Sequence, residues 1–264
     1  MDTQLKGKTA LITGGSSGIG EGIAHVLATE GVNLAIASRN PDPQVIRDIE
    51  KMGVRCVRIC ADVSQEEQAV GMVEGAIREL GHLDFYVNNA AWTWHQPVTR
   101  ITSEAWFNTI NTNLSACMWA CREACKHMAS RGSGGIVIIG STVRFNPAYR
   151  ESAYRVSKMG LRMYMQNLAI EMAPYGIRVN MVTPGHFKTR MTGNIPEEIE
   201  NQMKEKYILA HRFGQPEEVG NAVAFLLSDS LSGYTIGADV VIDGGLTLRP
   251  LGLISQDEIE EMNC

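Results

Sequence analysis

The residues best spaced to do chemistry lie at 141–158, where Ser141 is followed by TVRFNPAYRESA, Tyr154, RVS and Lys158. Tyr154 and Lys158 are four apart, so on a helix they share a face. Such a pair suits proton transfer near neutral pH. A phenol of pKa about 10 must drop by about three units to exchange a proton there, which requires about 4 kcal/mol. One ammonium about 4 Å away supplies about that much at an effective dielectric of about 20. Taken alone, the spacing also arises by chance, as a solvated tyrosine beside a solvated lysine, so its context must decide.

The elements that would position this pair alternate along the whole chain. Short β-branched runs predict strands TALITG near 9–14, NLAIAS at 33–38, VRCVRIC at 54–60, LDFYVNN at 83–89, GIVIIG at 135–140, IRVNMV at 177–182 and DVVID at 239–243. Helical periodicity predicts helices near 18–30, 42–52, 65–80, 104–130, 152–173 and 216–228. Near-continuous apolar strands suit a parallel sheet covered on both faces. The expected fold is α/β, one Rossmann-type doubly wound sheet of about seven strands with helices on both faces. Residues 1–247 are expected to form one domain, with 248–264 as a C-terminal tail. The helices at 104–130 and 152–173 are apolar on more than one side (MGLRMYMQNLAIEMA at 159–173), which predicts burial against a second subunit.

The segment TGGSSGIG at 13–20 sits at the carboxyl end of the first predicted strand. In an open parallel sheet, ligands bind outside those strand ends, where the strand order reverses. Glycine there permits positive φ and lets a phosphate approach the backbone, and the following helix offers free N–H groups and the positive end of its dipole. Those needs place glycine at the turn and the helix start without dictating one spacing. A glycine-rich turn with no ligand is the alternative for this segment alone. A Walker A loop is excluded, because no Gly-Lys-Ser/Thr follows. The strand GIVIIG ends at the same edge, so Ser141 would face whatever the glycines hold.

Composition narrows the class. The chain has 264 residues, 44% hydrophobic and 20% charged, within the range of a globular protein with a sizeable core. A net charge of -5 and the lack of a basic block argue against a nucleic-acid partner. Aliphatic runs such as IVII at 136–139 are too short to span a bilayer, so no membrane partner is expected. The N-terminal MDTQLKGKTA lacks the order of a signal peptide, and the six cysteines form no C-x-x-C pair, so they read as reduced thiols of a cytoplasmic protein. Cys117, Cys121 and Cys125 share one helix face near His127. Three thiols along one helix do not close a tetrahedron, so no metal is expected and a buried apolar stripe is preferred.

Taken together, these motifs resemble the classical short-chain dehydrogenase/reductase family over about residues 5–247. Its T-G-x-x-x-G-x-G loop matches Thr13, Gly14, Gly18 and Gly20; its Y-x-x-x-K matches Tyr154 and Lys158; its serine matches Ser141. Asn113 in NTNLSA fits its catalytic asparagine, and Asn88-Asn89-Ala90 its N-N-A-G segment, with Ala91 in place of the glycine. Asp62-Val63 fits the pair that meets adenine, and Pro184-Gly185 with Thr189 the P-G-x-x-x-T stretch beside the nicotinamide. RFGQPEEV at 212–219 and VIDGG at 241–245 complete the pattern.

The resemblance implies hydride transfer between a nicotinamide cofactor and a secondary alcohol or ketone. Asn113, Ser141, Tyr154 and Lys158 would be catalytic: the tyrosine exchanges the proton, the serine holds the substrate oxygen, the lysine lowers the tyrosine pKa and binds ribose, and the asparagine orders a water. Cofactor contacts would come from Gly14, Ser16, Ser17, Gly18, Ile19, Gly20, Ser38, Arg39, Asp62, Val63, Asn89, Ala90, Tyr154, Lys158, Pro184, Gly185 and Thr189. Ser38 stands where an NAD-specific member carries an acidic residue, and Arg39 can fork onto a 2′-phosphate, so NADP is expected over NAD.

Beside the motifs, Trp92, Trp94, His95, Val143, Arg144, Tyr149, His186, Phe187 and Met191 are candidate substrate-pocket residues together with Ser141. Their mix suits a sugar, a polyol or an acidic ketone, with ordinary core or lid roles as the alternative. The family also implies a homo-oligomer, a tetramer. Three rival readings stand beside this one: an NAD-dependent sugar or polyol dehydrogenase of the same family, a sugar-nucleotide epimerase or dehydratase, and a non-catalytic nucleotide sensor. The second would show a T-G-x-x-G-x-x-G loop and a larger C-terminal domain; the third would bind nucleotide without turnover.

Overall fold

A computed structural model describes residues 2–189, 193 and 195–248. In chain order its elements are β1 (Thr9–Thr13), α1 (Gly18–Thr29), β2 (Asn33–Ser38), α2 (Pro43–Glu50), β3 (Cys56–Cys60), α3 (Glu66–Leu80) and β4 (Phe85–Asn88). Next come α4 (Ser103–Ile110), a π turn (Asn111–Ser115), α5 (Ala116–Arg131), β5 (Gly134–Ile139), α6 (Ser152–Met172) and β6 (Ile177–Pro184). The remainder is α7 (Glu197–Tyr207), α8 (Pro216–Leu227), α9 (Asp229–Ser232) and β7 (Asp239–Ile242). All seven strands pair in parallel in one sheet, in the order β3-β2-β1-β4-β5-β6-β7.

The strand order explains where a ligand can sit. From β1 the chain builds outward through β2 and β3, then returns to pair β4 on the other side, with Ala10 opposite both Leu34 and Phe85. That reversal opens a crevice at the carboxyl ends of β1 and β4. Alternate residues of each strand feed opposite layers. Leu11, Ile136 and Val179 pack with α3, α5 and α6, whereas Ile12, Val137 and Val182 pack with α1, α2 and α8. Each fully buried aliphatic side chain contributes about 1.5–3 kcal/mol, so a one-residue slip would lose both layers at once.

Three differences from the sequence-based elements have physical causes. The helix predicted over 104–130 is interrupted by the π turn at 111–115, which periodicity cannot show because one extra residue is absorbed without a glycine or proline. The helix α7 (EEIENQMKEKY) buries none of its residues, so it carries no apolar stripe to read. The outer face of α5 exposes Arg122 and Lys126 and is mostly charged rather than apolar. By contrast α6 does expose Val156, Met159, Met163 and Ile170 along one side. Cys117, Cys121 and Cys125 point into the core.

Candidate active site

The carboxyl end of β5 delivers Ser141, whose side chain caps the 3-10 turn Thr142–Phe145 by accepting from the Val143 N–H. Tyr154 follows in the first turn of α6, with Ser141 close enough to act on its hydroxyl. One turn further, Lys158 is 2% exposed and its ammonium donates to the Ile139 carbonyl at 2.9 Å. The Lys158 nitrogen lies 5.8 Å from the Tyr154 ring centroid. So the four-residue spacing does put both on one face, beside the strand end.

Burial dominates the electrostatics of the pair. Burial pushes the Tyr154 hydroxyl up to about 12; the Ser141 hydrogen bond pulls it down and the nearby Glu151 charge adds to the rise. Lys158 is not what sets it. Burial in turn brings Lys158 down to about 8. Burial is thus the largest influence on both side chains.

Asn113 lies inside the π turn, nearly fully buried. Its Nδ2 donates to the Trp92 carbonyl (2.9 Å) and to Ser157 Oγ (3.0 Å), while its Oδ1 accepts from the Trp92 N–H (2.7 Å). Ser157 in turn donates to the Tyr154 carbonyl (2.7 Å). The side chain thus ties the strand β4 exit to the helix that carries Tyr154 and Lys158, and both its amide protons are committed.

The glycine loop is locked to the next strand. Thr13 Oγ1 accepts from the N–H groups of Asn89 (2.9 Å) and Ala90 (3.0 Å), and Asn89 Nδ2 returns to the Thr13 carbonyl at 2.8 Å. A Cβ on Gly20 would lie 2.1 Å from the Gly14 carbonyl oxygen, and Gly18 adopts φ +55 with Thr189 against it. Only glycine meets both demands. Ser16 and Ser17 are half-buried at the mouth of α1, and the Ser17 side chain makes no cap bond to the helix. Ile19 packs on the core, leaving its backbone at the helix start. Gly185 donates its N–H to Ile242, which fixes Pro184-Gly185 beside β7. Ala91, where the family carries glycine, needs no left-handed backbone.

At the far end of the crevice, Ser38 closes β2 and the exposed Arg39 follows. Asn40 Oδ1 accepts from Arg58 of β3 at 3.1 Å, which adds a second cation near that turn. The neighbouring carboxylates are occupied locally: Asp42 accepts from the Gln44 N–H, and Asp62 from the Ser64 N–H and hydroxyl. Val63 is buried beneath them. A dinucleotide fits these residues: a helix start with an uncommitted serine, a buried ammonium with one partner, and a cationic turn free of an acidic rival.

The candidate substrate residues divide. Trp92 and Trp94 stack with centroids 5.8 Å apart, and His95 Nδ1 approaches Glu151 at 3.6 Å. Tyr149 is 79% exposed on the opposite loop, and Val143 lies half-buried beside Ser141. His186 is half-buried, with burial lowering its pKa and the Glu151 charge opposing. Two candidates turn away. Phe187 is 3% exposed and packs in the core against Gly214, where a Cβ would meet its ring at 2.3 Å. Arg144 is buried in an ion pair with Asp239 and stacks over Phe145, so its charge is already engaged. Met191 lies outside the described residues.

Comparison with known proteins decides the family. The family model described as Enoyl-(Acyl carrier protein) reductase matches residues 14–247. The chain belongs to the classical short-chain dehydrogenase/reductase family. It is 34% identical to 3β-hydroxysteroid dehydrogenase 1 of Eggerthella lenta over 255 residues, covering 95% of this chain and 97% of that one. Glucose 1-dehydrogenase 2 of Bacillus subtilis is also 34% identical, over 256 residues, covering 95% and 98%. A short-chain type dehydrogenase/reductase from Mycobacterium marinum superposes with a TM-score of 0.87 at 33% identity, over 94% of this chain and 98% of that chain. The protein is thus an oxidoreductase acting on CH–OH groups, in a family that uses NAD or NADP. Among the described residues no helix is long and apolar enough to cross a membrane.

The dehydrogenase also relies on residues that sequence reasoning missed. Ser157 joins Asn113 to Tyr154 across 44 positions, and no local spacing announces such a link. Glu151, anchored by Arg155 at 2.7 Å, links the His95 loop to α6. Arg58 was visible only as an alternate position in CVRIC, exposed where its strand neighbours turn inward.

Proposed function

We propose that this dehydrogenase interconverts a secondary alcohol and a ketone on a small molecule with NADP(H), residues 1–247 acting as one dinucleotide-binding and catalytic unit. A bound nicotinamide supplies or accepts the hydride. Tyr154 gives its proton to the carbonyl oxygen in reduction and takes it back in oxidation. Ser141 donates to the same oxygen and keeps it near the tyrosine. Lys158 would hold the ribose of a bound cofactor, and its charge would then help to offset the rise that burial imposes on Tyr154. Asn113, its amide protons already spent on Trp92 and Ser157, would order the water that refills Lys158.

The observation that carries this reading is a nearly inaccessible lysine, one turn from Tyr154 and bonded to the end of β5, at the sheet edge where Ser141 stands. The relatives named above act, by their names, on a hydroxysteroid and on glucose, so the reaction class extends to this chain more readily than any one substrate. Assembly as a homotetramer is part of the proposal, supported by the exposed Val156, Met159, Met163 and Ile170 on α6. Light scattering at micromolar concentration tests it; a monomer would refute it.

NADP over NAD is supported by Ser38, Arg39 and the Arg58–Asn40 pair, with both nearby carboxylates engaged. A charge-assisted contact to a 2′-phosphate gives a preference of about 10- to 100-fold. The test compares kcat/KM for NADPH and NADH in the parent and in Ser38→Asp/Arg39→Ala. A parent that prefers NADH, or a variant whose preference stays put, overturns the cofactor assignment.

A further inference from the structure

The loop at 92–96 is far more constrained than an ordinary exposed loop. The Trp92 backbone is held at both its N–H and its carbonyl by Asn113. Gln96 donates its N–H to the Arg150 carbonyl (3.0 Å), and Arg150 returns its guanidinium to the His95 carbonyl (3.3 Å). Arg150 adopts φ +68, a left-handed conformation that a non-glycine residue holds only when its surroundings insist. The loop is therefore stapled at one end to Asn113 and at the other to Arg150, four residues before Tyr154.

On this frame the two indoles lie nearly parallel, with an interplanar angle of 16°. Trp92 covers one flank of Trp94. The Gln96 amide, oriented to suit both neighbours, accepts from Trp94 Nε1 at 2.9 Å and donates to Arg100 O, which fixes the ring in its plane. Trp94 nevertheless leaves 47% of its surface open. A large apolar face that is exposed yet already immobilised loses little entropy when something stacks on it. With its N–H engaged, it offers no hydrogen bond, only a flat face.

Resting on the proposed reading of the site, we infer that Trp94, backed by Trp92, is a stacking platform that selects a cyclic secondary alcohol or ketone over an open-chain one. A ring presents a pre-formed face to the indole, whereas an open chain must freeze several torsions to cover the same area. Flat carbocycles and sugars share that chemistry, and the arms of the test separate them.

The experiment measures kcat/KM with NADPH for cyclohexanone against 2-hexanone and 2-decalone against 2-decanone, matched in carbon number, and with NADP+ for D-glucose against sorbitol. It is run on the parent, Trp94→Leu and Trp94→Phe. Rings are expected to win in at least one of the three pairs, the winning pair naming the carbocycle or the sugar. In that pair the ring-to-chain ratio should fall about 2- to 12-fold in Trp94→Leu, mainly through KM, and recover in Trp94→Phe. Chains equalling rings in every pair, or a ratio unmoved by Trp94→Leu, would overturn the platform while leaving the Tyr154 reading intact. If no carbonyl or alcohol turns over, the Tyr154 reading fails instead. Titration of the protein–NADP+ complex with 2-decalone and with glucose then decides the platform: binding weakened by Trp94→Leu supports it, and no binding, or unchanged binding, refutes it.

Discussion

The acid–base cluster and the rim of the crevice are built to different standards. Around Tyr154, the polar side chains are anchored to backbone at 2.7–2.9 Å: Lys158 to Ile139 of β5, Asn113 to Trp92, and Ser157 to the tyrosine's own carbonyl within α6. At the rim, the links between His95, Arg150 and Glu151 are longer, 3.3–3.6 Å, and half-exposed. Buried hydrogen bonds of the first kind are costly to break, whereas exposed ion pairs contribute little. On the proposed reading, the interior thus fixes the reaction while the rim chooses the substrate.

That contrast can be broken by substitution, and the largest effect is expected at Tyr154. Tyr154→Phe removes the proposed proton donor and should lower kcat by about 10²–10⁴ while NADPH binding, read by fluorescence, is retained. Turnover within a factor of two of the parent would remove the tyrosine from the mechanism. Next in size is Ser157→Ala, which leaves an Asn113 amide proton buried without its partner. It should destabilise by about 1–2 kcal/mol in denaturant titration and lower kcat about tenfold, with a smaller change in KM. A change in stability with kcat untouched would reduce Ser157 to an ordinary core residue.

Lys158→Met should move in the opposite direction on stability. The lysine titrates near 8 in the fold against an ordinary 10.5, so between those values the unfolded chain binds the extra proton. Its burial cost is therefore full below about pH 8 and relieved as pH rises toward 10.5. The variant should be inactive yet more stable at pH 7, by about 1–3 kcal/mol, with the gain shrinking across that window. A variant less stable than the parent at every pH would mean that the Ile139 contact outweighs the desolvation.

The smallest effect is expected away from the site. His127 Nε2 accepts from the Leu83 N–H at 3.1 Å, which needs the neutral ring, and burial together with the Arg131 charge lowers its pKa. A depressed histidine gives stability that is full above the unfolded value of about 6.5 and is lost as pH falls below it. His127→Ala should flatten the fall in Tm between pH 7 and 5.5 by about 1 °C. An unchanged slope would show that the ring's tautomer carries no weight.

The same contrast explains what could be read in advance. The seven strands, the glycine loop and the Ser141, Tyr154 and Lys158 set were legible because strand period, helix period and turn chemistry are local. Residues joined across the fold were not: Ser157 meets Asn113 through a π turn that leaves no mark in composition. Side-chain direction within loops was equally hidden. Arg144 and Phe187 follow motif residues as closely as Trp94 does, yet Asp239 draws the arginine into a buried ion pair and Gly214 makes room for the phenyl ring. Spacing likewise places a lysine near Tyr154 but says nothing of how deeply the phenol is buried.

The central claim, that this site exchanges a hydride and a proton with a carbonyl compound, is tested most directly by following NADPH absorbance with the parent protein across a panel of cyclic and open-chain ketones while cofactor binding is measured on the same sample. The account predicts saturable binding of NADPH together with ketone-dependent loss of absorbance. Tight NADPH binding with no consumption by any ketone, and no reduction of NADP+ by the corresponding alcohols, would contradict it and make the protein a nucleotide sensor.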